Sequence, residues 1–268
     1  MSKNAAYQKF EVLRTNRNKR YRYGEFLVEG VRNINQAIRN GWQFTSLLYS
    51  PETPLSRWAQ EVLDTVSCDT HYQLSSNLMQ ELSGKTDTSE LLAILRMRPD
   101  DPALLHDSPC PLYILFDRPS NHGNLGSIIR SADALGADGL ILTGHGVDLY
   151  QPEVITASMG SFFNLPAIRM ADNDTVFDWI ARQRDLHPGF QVIGTTAHKQ
   201  LNITQVDFRL PTLLMIGNET EGLCRAFKEG CDLLATIPMA DTSSASSFNV
   251  ACAATVMMYE VCRQRAQE

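Results

Sequence analysis

Short apolar segments alternate with helix-like segments over the second part of the chain, and this alternation constrains the fold more than any other feature. Residues 112–117, LYILFD, contain only apolar and aromatic residues before the final aspartate. Similar runs occur at 139–144, 191–197, 212–219 and 233–239, with helical periodicity at about 125–136, 152–159, 174–184 and 222–230. Strands that alternate with helices predict a parallel sheet covered on both faces.

A smaller α/β unit is predicted before this sheet. Its strands are FLVEG (26–30), FTSLLYS (44–50) and ELLAILRM (90–97), with helices at 31–41, 55–66 and up to residue 82. Four prolines then lie within residues 99–111, and proline fixes φ and removes a hydrogen-bond donor. We therefore expect an RNA-binding α/β domain at 1–98, a proline-rich linker at 99–111 and a larger domain at 112–268.

The distribution of charge suggests a polyanionic partner. The net charge is −6, yet residues 1–40 contain nine basic residues, Lys3, Lys9, Arg14, Arg17, Lys19, Arg20, Arg22, Arg32 and Arg39, against three acidic ones. Tyr21, Tyr23 and Phe26 lie among them, and aromatic rings can stack on unpaired bases while cations hold phosphates. An ordinary solvated helix explains the composition equally well.

Several classes of protein are disfavoured by composition. No apolar run approaches the roughly 18–20 residues of a membrane helix, and the first residues, MSKNAAYQKF, lack an apolar signal region. We therefore expect a cytoplasmic protein that is neither exported nor bound to a membrane. The six cysteines form no C-x-x-C pair and have no histidines at zinc spacing, so we expect reduced thiols and no metal site.

Three loops at predicted strand ends are rich in small residues. They lie at 118–126, 217–222 and 238–249. Ligands of parallel α/β sheets bind beyond the carboxyl ends of the strands, and small residues let the backbone approach a ligand closely. The three loops together therefore predict one site. A Rossmann-type dinucleotide site is the alternative, but GNLGSI at 123–128 matches G-x-G-x-x-G poorly.

These loops also carry a family resemblance. NHGNLGSIIRSADALGADGLIL, LLMIGNETEGL and IPMADTSSASSFNVACAATVMMYE resemble, in this order, the three motifs of the SpoU (TrmH-like) RNA 2′-O-methyltransferases of the SPOUT class. VITASMGSFFNLP (154–166) resembles the segment that usually lies between the first two motifs. The similarity covers about residues 112–263. The first part of the chain resembles, more weakly, the ribosomal-protein-like RNA-binding domain of many members.

The resemblance implies a fold and a cofactor that the periodicity does not reveal. The expected fold is a parallel α/β sheet with a C-terminal trefoil knot that binds S-adenosyl-L-methionine, in a homodimer. The corresponding cofactor-binding residues are Gly217, Ile237 and Phe248. The corresponding catalytic residues are Asn124, Arg130, Glu219, Ser247 and Asn249.

Two departures from the family pattern concern the third motif. Phe248 stands where the family usually has leucine, and the loop from Ile237 to Phe248 is longer than usual. Both put the cofactor contacts of this loop in question but leave the reaction class unchanged. His122 lies outside the motif positions, so we interpret it as an ordinary loop histidine.

The expected roles follow from the chemistry of a ribose 2′-hydroxyl. Asn124, Ser247 and Asn249 can orient it by hydrogen bonds, while Glu219 is either catalytic or a structural tie between loops. A guanidinium keeps its proton at neutral pH, so we expect Arg130 to position phosphate and stabilise the 2′-oxyanion and not to act as the general base. A plain ion pair with Asp133 is the alternative for Arg130.

The sequence therefore predicts an RNA ribose 2′-O-methyltransferase. The additional N-terminal domain favours ribosomal RNA over tRNA as the substrate, by analogy with the family. A catalytically silent RNA-binding homologue is one alternative, although Asn124, Arg130 and Asn249 are intact. A nicotinamide-dependent oxidoreductase is the other.

Overall fold

The computed structural model describes residues 4–85, 87–198 and 200–266, and among these residues eleven strands form two sheets. The first elements in chain order are α1 (Ala5–Thr15), α2 (Arg17–Tyr23), β1 (Glu25–Glu29), α3 (Val31–Arg39), β2 (Phe44–Tyr49), α4 (Arg57–Thr65), β3 (Thr70–Gln73), α5 (Ser76–Ser83) and β4 (Leu91–Arg96). They are followed by β5 (Leu112–Asp117), α6 (His122–Ala134), β6 (Gly139–Thr143), α7 (Pro152–Ala157), β7 (Ala167–Met170), α8 (Asn173–Leu186), β8 (Gln191–Thr195), β9 (Leu201–Asn202), β10 (Thr212–Ile216), α9 (Arg225–Gly230), β11 (Leu233–Thr236) and α10 (Val250–Arg265). None of the helices in the described residues is long and apolar enough to cross a membrane.

The chain divides into two compact units. The first contains the residues up to Arg98 together with Asp148–Asn164, and the second contains Pro99–Val147 and the residues from Leu165 onward. The domains predicted from the sequence, 1–98 and 112–268, differ from this grouping at residues 148–164, which the structure joins to the first unit.

Aromatic packing explains why residues 148–164 belong with the first unit. The ring of Phe162 lies 5.8 Å from that of Phe26 and 5.4 Å from that of Trp42, measured between centroids. The indole N–H of Trp42 also donates to the carbonyl oxygen of Phe163 at 2.9 Å. Since aromatic side chains bury a large apolar area, a short segment with three of them, Tyr150, Phe162 and Phe163, can be held by one unit.

The first unit is built on a small mixed sheet with the strand order β1-β4-β2-β3. The central strand β4 pairs antiparallel with both β1 and β2, whereas β2 and β3 are parallel. Helices α1 and α5 contribute Tyr7, Phe10 and Leu82 to a buried cluster with Leu48 and Leu92 of this sheet. This is the small α/β unit that the sequence predicts.

The second unit contains a seven-stranded sheet among the described residues. The strand order is β7-β6-β5-β10-β8-β11-β9, and every neighbouring pair is parallel, which confirms the predicted parallel sheet. All residues of the central strands β5 and β10 are buried. The edge strands β7 and β9 were not predicted from the sequence, because β7 has four residues that are only alternately buried and β9 has two residues.

The proline-rich segment is packed against the second unit. Leu105 is buried, and its side chain occupies the space that a Cβ would need at Gly139 of β6. The hydroxyl of Tyr113 donates to the carbonyl oxygen of His106 at 2.8 Å. The predicted linker is therefore an ordered part of the surface of this unit.

Two members of the basic and aromatic segment near the start of the chain are structural. The Arg20 side chain is fully buried, and Phe26 lies in the aromatic cluster of the first unit, so neither can contact RNA. Tyr21, Arg22 and Tyr23 remain exposed. Lys3, which belongs to the same predicted segment, lies outside the described residues.

The buried Arg20 guanidinium is fully hydrogen-bonded. It donates to the Asp148 carboxylate at 2.7 Å, to the carbonyl oxygens of Leu13 and Arg14 at 2.9 and 3.1 Å, and to the side chain of Gln151. A buried charge needs such partners because its removal from water is costly. Arg20 thus joins α2 to residues 148–151 within the first unit.

Replacement of Arg20 should destabilise the protein strongly. Arg20→Ala leaves the Asp148 carboxylate buried without its cation, and we expect a loss of about 3–5 kcal/mol in the free energy of unfolding. Arg22→Ala, on the exposed side of the same helix, is the control and should change it by less than about 0.5 kcal/mol. Urea unfolding followed by circular dichroism measures both. Equal stability of the two variants would contradict the role of Arg20.

Candidate active site

Three loops leave the same edge of the parallel sheet. Strands β5 and β10 are neighbours, with Phe116 opposite Ile216, and β8 separates β10 from β11 in the same sheet. Because these strands are parallel, the loops that follow them start from the carboxyl edge. Hydrogen bonds confirm that 118–126, 217–222 and 238–249 converge, although residues 122–126 form the start of α6 and not a loop as predicted.

Glu219 is the centre of this convergence. Its Oε2 accepts hydrogen bonds from the backbone N–H of Ser120 at 2.9 Å and from the Ser120 hydroxyl at 2.6 Å. Its Oε1 accepts from the N–H of Asn121 at 3.0 Å and from the Asn124 amide at 3.3 Å. Burial alone would raise the pKa of Glu219, but these hydrogen bonds outweigh it and hold the pKa below its usual value.

Asn124, in the first turn of α6, connects the first motif to the third loop. Its side-chain oxygen accepts a hydrogen bond from the Asn249 amide at 3.1 Å, while its own amide donates to Glu219. The Asn249 oxygen caps α10 and accepts from the N–H groups of Ala251 and Cys252. The chain Glu219–Asn124–Asn249 therefore links all three motifs through side chains.

Helices α6 and α10 begin together at this site. Asn121 caps α6 and Asn249 caps α10, and the two helices pack further along through the hydroxyls of Ser131 and Thr255, 2.7 Å apart. The helices contact each other at their starts, through Asn124 and Asn249, and again about two turns later, through Ser131 and Thr255. They therefore run in the same direction. Their N-termini, which carry partial positive charge, both lie near the three converging loops and favour an anion there.

Arg130 and Ser247 are exposed and outside the hydrogen-bonded chain. Among the described residues, no ion pair or hydrogen bond involves the Arg130 side chain, and the alternative pairing with Asp133 is therefore not observed. Ser247 lines a cavity beside the three loops. Both side chains are thus accessible to a substrate.

A cavity of about 340 Å³ opens beside the three loops. Its walls include all three residues predicted to bind the cofactor, Gly217, Ile237 and Phe248, together with Glu219 and Ser247. Its volume lies within the range of about 300–1,000 Å³ that is common for small-molecule sites. The structure therefore brings the predicted cofactor residues and part of the predicted catalytic set to one cavity.

Gly217 and Phe248 contribute differently to this cavity. A Cβ at Gly217 would overlap the backbone of Leu223 and lie 2.7 Å from the Cα of Gly222, so only glycine fits the close return of this loop. The Phe248 ring is 46% exposed and provides an apolar wall. Phenylalanine in place of the usual leucine is thus compatible with a lining role.

Asp117 and Asn218, which were not predicted as site residues, stabilise the positions of the loops by hydrogen bonds. Asp117, at the end of β5, is buried and accepts hydrogen bonds from the Thr143 hydroxyl at 3.1 Å and from the N–H of Cys224 at 2.8 Å. Asn218 donates from its amide to the carbonyl oxygen of Arg118 at 2.8 Å. The aspartate that ends an otherwise apolar strand was the available signal for Asp117.

Two family models match consecutive parts of the chain. Residues 111–259 match the SpoU rRNA Methylase family, and residues 4–93 match the SpoU L30e-like domain. The first match covers more than half of the chain. The chain belongs to the SpoU rRNA methylase family.

Similar members of the SpoU family cover almost the whole chain. The 23S rRNA (uridine(2479)-2′-O)-methyltransferase of Streptomyces viridochromogenes is 45% identical over 265 residues, which are 98% of this chain and 91% of the relative. The crystal structure of the SpoU methyltransferase AviRb from the same organism, in complex with the cofactor AdoMet, has a TM-score of 0.91 at 45% identity and covers 98% of each chain. An AdoMet-bound rRNA methyltransferase from Sinorhizobium meliloti has a TM-score of 0.84 at 28% identity and covers 98% of this chain and 96% of its own.

The stabilising effect of Glu219 should depend on pH. Because its pKa is lowered in the folded protein, the carboxylate stabilises the fold above the ordinary glutamate pKa of about 4.3, and this contribution disappears as the pH falls through the lowered value. Thermal unfolding should therefore show wild type more stable than Glu219→Gln at pH 7, with a difference that shrinks at acidic pH. Glu229→Gln, in an exposed ion pair, is the control. A difference that is constant with pH would contradict this assignment.

Proposed function

We propose that this SpoU family member transfers a methyl group from S-adenosyl-L-methionine to a ribose 2′-hydroxyl of ribosomal RNA. The observation that carries the proposal is the pair of side-chain hydrogen bonds from Asn124 to Glu219 and from Asn249 to Asn124. They join the three family motifs next to the cavity. Neither alternative from the sequence analysis is favoured by an observation: the predicted catalytic residues are intact, and the family is a methylase family.

The cavity suits S-adenosyl-L-methionine in size and lining. Gly217 would offer backbone groups at close range, while Ile237 and Phe248 would cover apolar parts of the cofactor. When bound, the cofactor supplies an electrophilic methyl group on a sulfonium. The task left to the protein is to hold the 2′-hydroxyl in line with that methyl group and to assist the loss of its proton.

Glu219 acts by holding the loops rather than as the general base. An ionised carboxylate accepts about four hydrogen bonds, and Glu219 already receives four. It therefore has little capacity to take a proton from the substrate. Asn124 and Asn249 are held by it and by α10, which leaves Ser247 as the exposed hydroxyl that can contact the ribose.

Arg130 positions the substrate and stabilises charge. Its exposed guanidinium, without an acidic partner among the described residues, can bind a phosphate next to the target nucleotide through two parallel hydrogen bonds. The same cation lowers the energy of the 2′-oxyanion as it forms. The proton leaves to a neighbouring group or to water.

The N-terminal unit binds the RNA. It matches an L30e-like domain of this family, and Tyr21, Arg22 and Tyr23 present exposed rings and a cation on α2. Relatives in this family are named as 23S rRNA methyltransferases, which supports ribosomal RNA as substrate and the cytoplasm as location. The trefoil knot of the C-terminal part belongs to the same proposal.

The protein works as a homodimer through an exposed face of α10. Cys252, Val256 and Tyr259 lie on one side of this helix, where Val256 is 43% and Tyr259 58% exposed. The opposite side, with Ala254, Met258 and other residues, is buried in the second unit. A helix that is apolar on both sides requires a second surface to cover it.

A charge on this face should dissociate the dimer. We expect sedimentation velocity to show dimers for the wild type and monomers for Val256→Glu, because a carboxylate in an apolar interface would be desolvated. Leu186→Glu is a matched control, since Leu186 is also an exposed apolar residue at the end of a helix of the same unit. A monomeric wild type, or dimers that persist in Val256→Glu, would exclude this interface.

Methyl transfer tests the proposed function directly. Purified protein, ribosomal RNA from cells that lack it and labelled S-adenosyl-L-methionine should give label on one ribose, detected as a 2′-O-methyl group by resistance of the adjacent linkage to alkali. Binding of S-adenosyl-L-methionine with no methylation of any RNA would point to the silent homologue. Binding of NAD instead would point to the oxidoreductase.

Variants of Arg130 test its proposed role in the same methylation assay. Arg130→Lys keeps the charge but loses the planar pair of donors, so it should bind S-adenosyl-L-methionine normally and lose most of the rate. Arg130→Ala should lose more. A rate close to wild type for Arg130→Ala would show that the assigned role is wrong.

A further inference from the structure

Arg118 is the first residue of the loop 118–126, and its side chain contacts the loop 217–222. Its guanidinium donates to the Asp117 carboxylate at 3.1–3.2 Å, to the carbonyl oxygen of Gly222 at 3.0 Å and to the carboxylate of Glu221. Each of its three nitrogens therefore has an acceptor. Asp117 ends β5, while Glu221 and Gly222 belong to the loop that lines the cofactor cavity.

The backbone of Arg118 is fixed as firmly as its side chain. Its N–H donates to the carbonyl oxygen of Thr143 at 3.1 Å, and its own carbonyl oxygen accepts from the Asn218 amide at 2.8 Å. Its φ is 50°, a left-handed conformation that an arginine adopts only when its surroundings stabilise it. Its side chain passes over Gly144, where a Cβ would lie 2.5 Å from the Arg118 Cγ.

The cavity loop needs external support because its own hydrogen bonds are local. Asn218 and Gly222 exchange two backbone hydrogen bonds at 3.0 and 3.1 Å, and the Asn218 side chain accepts from the N–H groups of Thr220 and Glu221. These bonds close a tight turn but do not fix its position. Glu219 attaches one part of the turn to the first motif, and Arg118 attaches the part that contains Glu221 and Gly222.

We infer that Arg118 is a positioning residue that holds the cavity wall 217–222 in the conformation that binds the cofactor. The inference rests on the proposed binding of S-adenosyl-L-methionine in this cavity. Arg118 contacts the wall from outside, through Gly222 and Glu221, and is not itself among the lining residues. Loss of the guanidinium should therefore weaken cofactor binding, because the wall would have to be ordered when the cofactor binds.

Contact with RNA is a competing role that the geometry disfavours. The three guanidinium nitrogens already donate to protein oxygens, and the two carboxylates beside them balance the positive charge. A phosphate would have to displace one of these carboxylates. The role of Arg118 thus differs from that of Arg130, whose guanidinium has no such partners among the described residues.

The test uses full-length variants and two separate measurements. Arg118→Ala removes all the contacts, Arg118→Lys keeps the charge with fewer donors, and Glu221→Gln weakens only the outer contact. Arg225→Ala is the matched control, because Arg225 follows the same loop but pairs with Glu229 at the solvent-exposed surface of α9. Calorimetry gives the Kd for S-adenosyl-L-methionine, and the methylation assay gives kcat and the KM for each substrate.

We expect the cofactor Kd and KM to rise about tenfold or more in Arg118→Ala, as for the loss of charge-assisted hydrogen bonds, and less in Arg118→Lys and Glu221→Gln. The kcat at saturating cofactor and the KM for RNA should stay near wild type. Adding Glu221→Gln to Arg118→Ala should have little further effect, since the two residues act through one contact. Arg225→Ala should behave as wild type.

Three results would overturn the inference. One is an unchanged cofactor Kd in Arg118→Ala. Another is a raised KM for RNA with an unchanged cofactor Kd, which would assign Arg118 to RNA. If Arg118→Ala does not fold, wild-type cofactor affinity in both Arg118→Lys and Glu221→Gln would overturn it as well. Failure of the wild type to bind S-adenosyl-L-methionine would instead refute the proposed function.

Discussion

The parallel pairing of β5 with β10 is the constraint on which the site depends. Their register, with Phe116 opposite Ile216, ends both strands at the same level, although almost a hundred residues separate them along the chain. The loops that follow must then lie side by side, since parallel strands deliver their connections to one edge. The strand pairing thus brings polar groups of these loops within hydrogen-bond distance of each other. The burial of both strands makes this arrangement rigid.

Two carboxylates, of Asp117 and Glu219, fix the loops that follow the parallel strands. Backbone hydrogen bonds fix the strands but leave the loops to side chains, and two acids provide most of the acceptors. Asp117 accepts from β6 and from the start of α9, and Glu219 accepts from the loop that leads into α6. Partly buried charge-assisted hydrogen bonds are stronger than neutral ones, so few residues suffice to hold loops made mainly of small residues. The small residues then remain available for close approach to a ligand.

Sequence patterns predicted the central elements and failed at the edges and at single residues. The strand at 112–117 was predicted with its observed bounds, because a fully buried strand is a continuous apolar run. Strand β9 has two residues and no pattern of its own. Burial of Arg20 depends on Asp148, far along the chain, and composition counts such an arginine as surface charge. The three motif loops were predicted as one site, whereas the role of Arg118 was not, since its positive φ and its acceptors exist only in the folded loops.

The described site offers mainly hydrogen-bond donors, and this bears on how a proton can leave. The oxygens of Glu219 are occupied, the Asn249 oxygen caps α10, and the Asn124 oxygen accepts from Asn249. The exposed groups include the Arg130 guanidinium, the Ser247 hydroxyl and the N-terminal ends of two helices, and the guanidinium and the helix ends are positive or partly positive. Such a site stabilises a developing oxyanion better than it removes a proton. A sulfonium methyl donor is electrophilic enough for this to suffice, because the nucleophile needs to be oriented and its charge stabilised, while water or a neighbouring group accepts the proton.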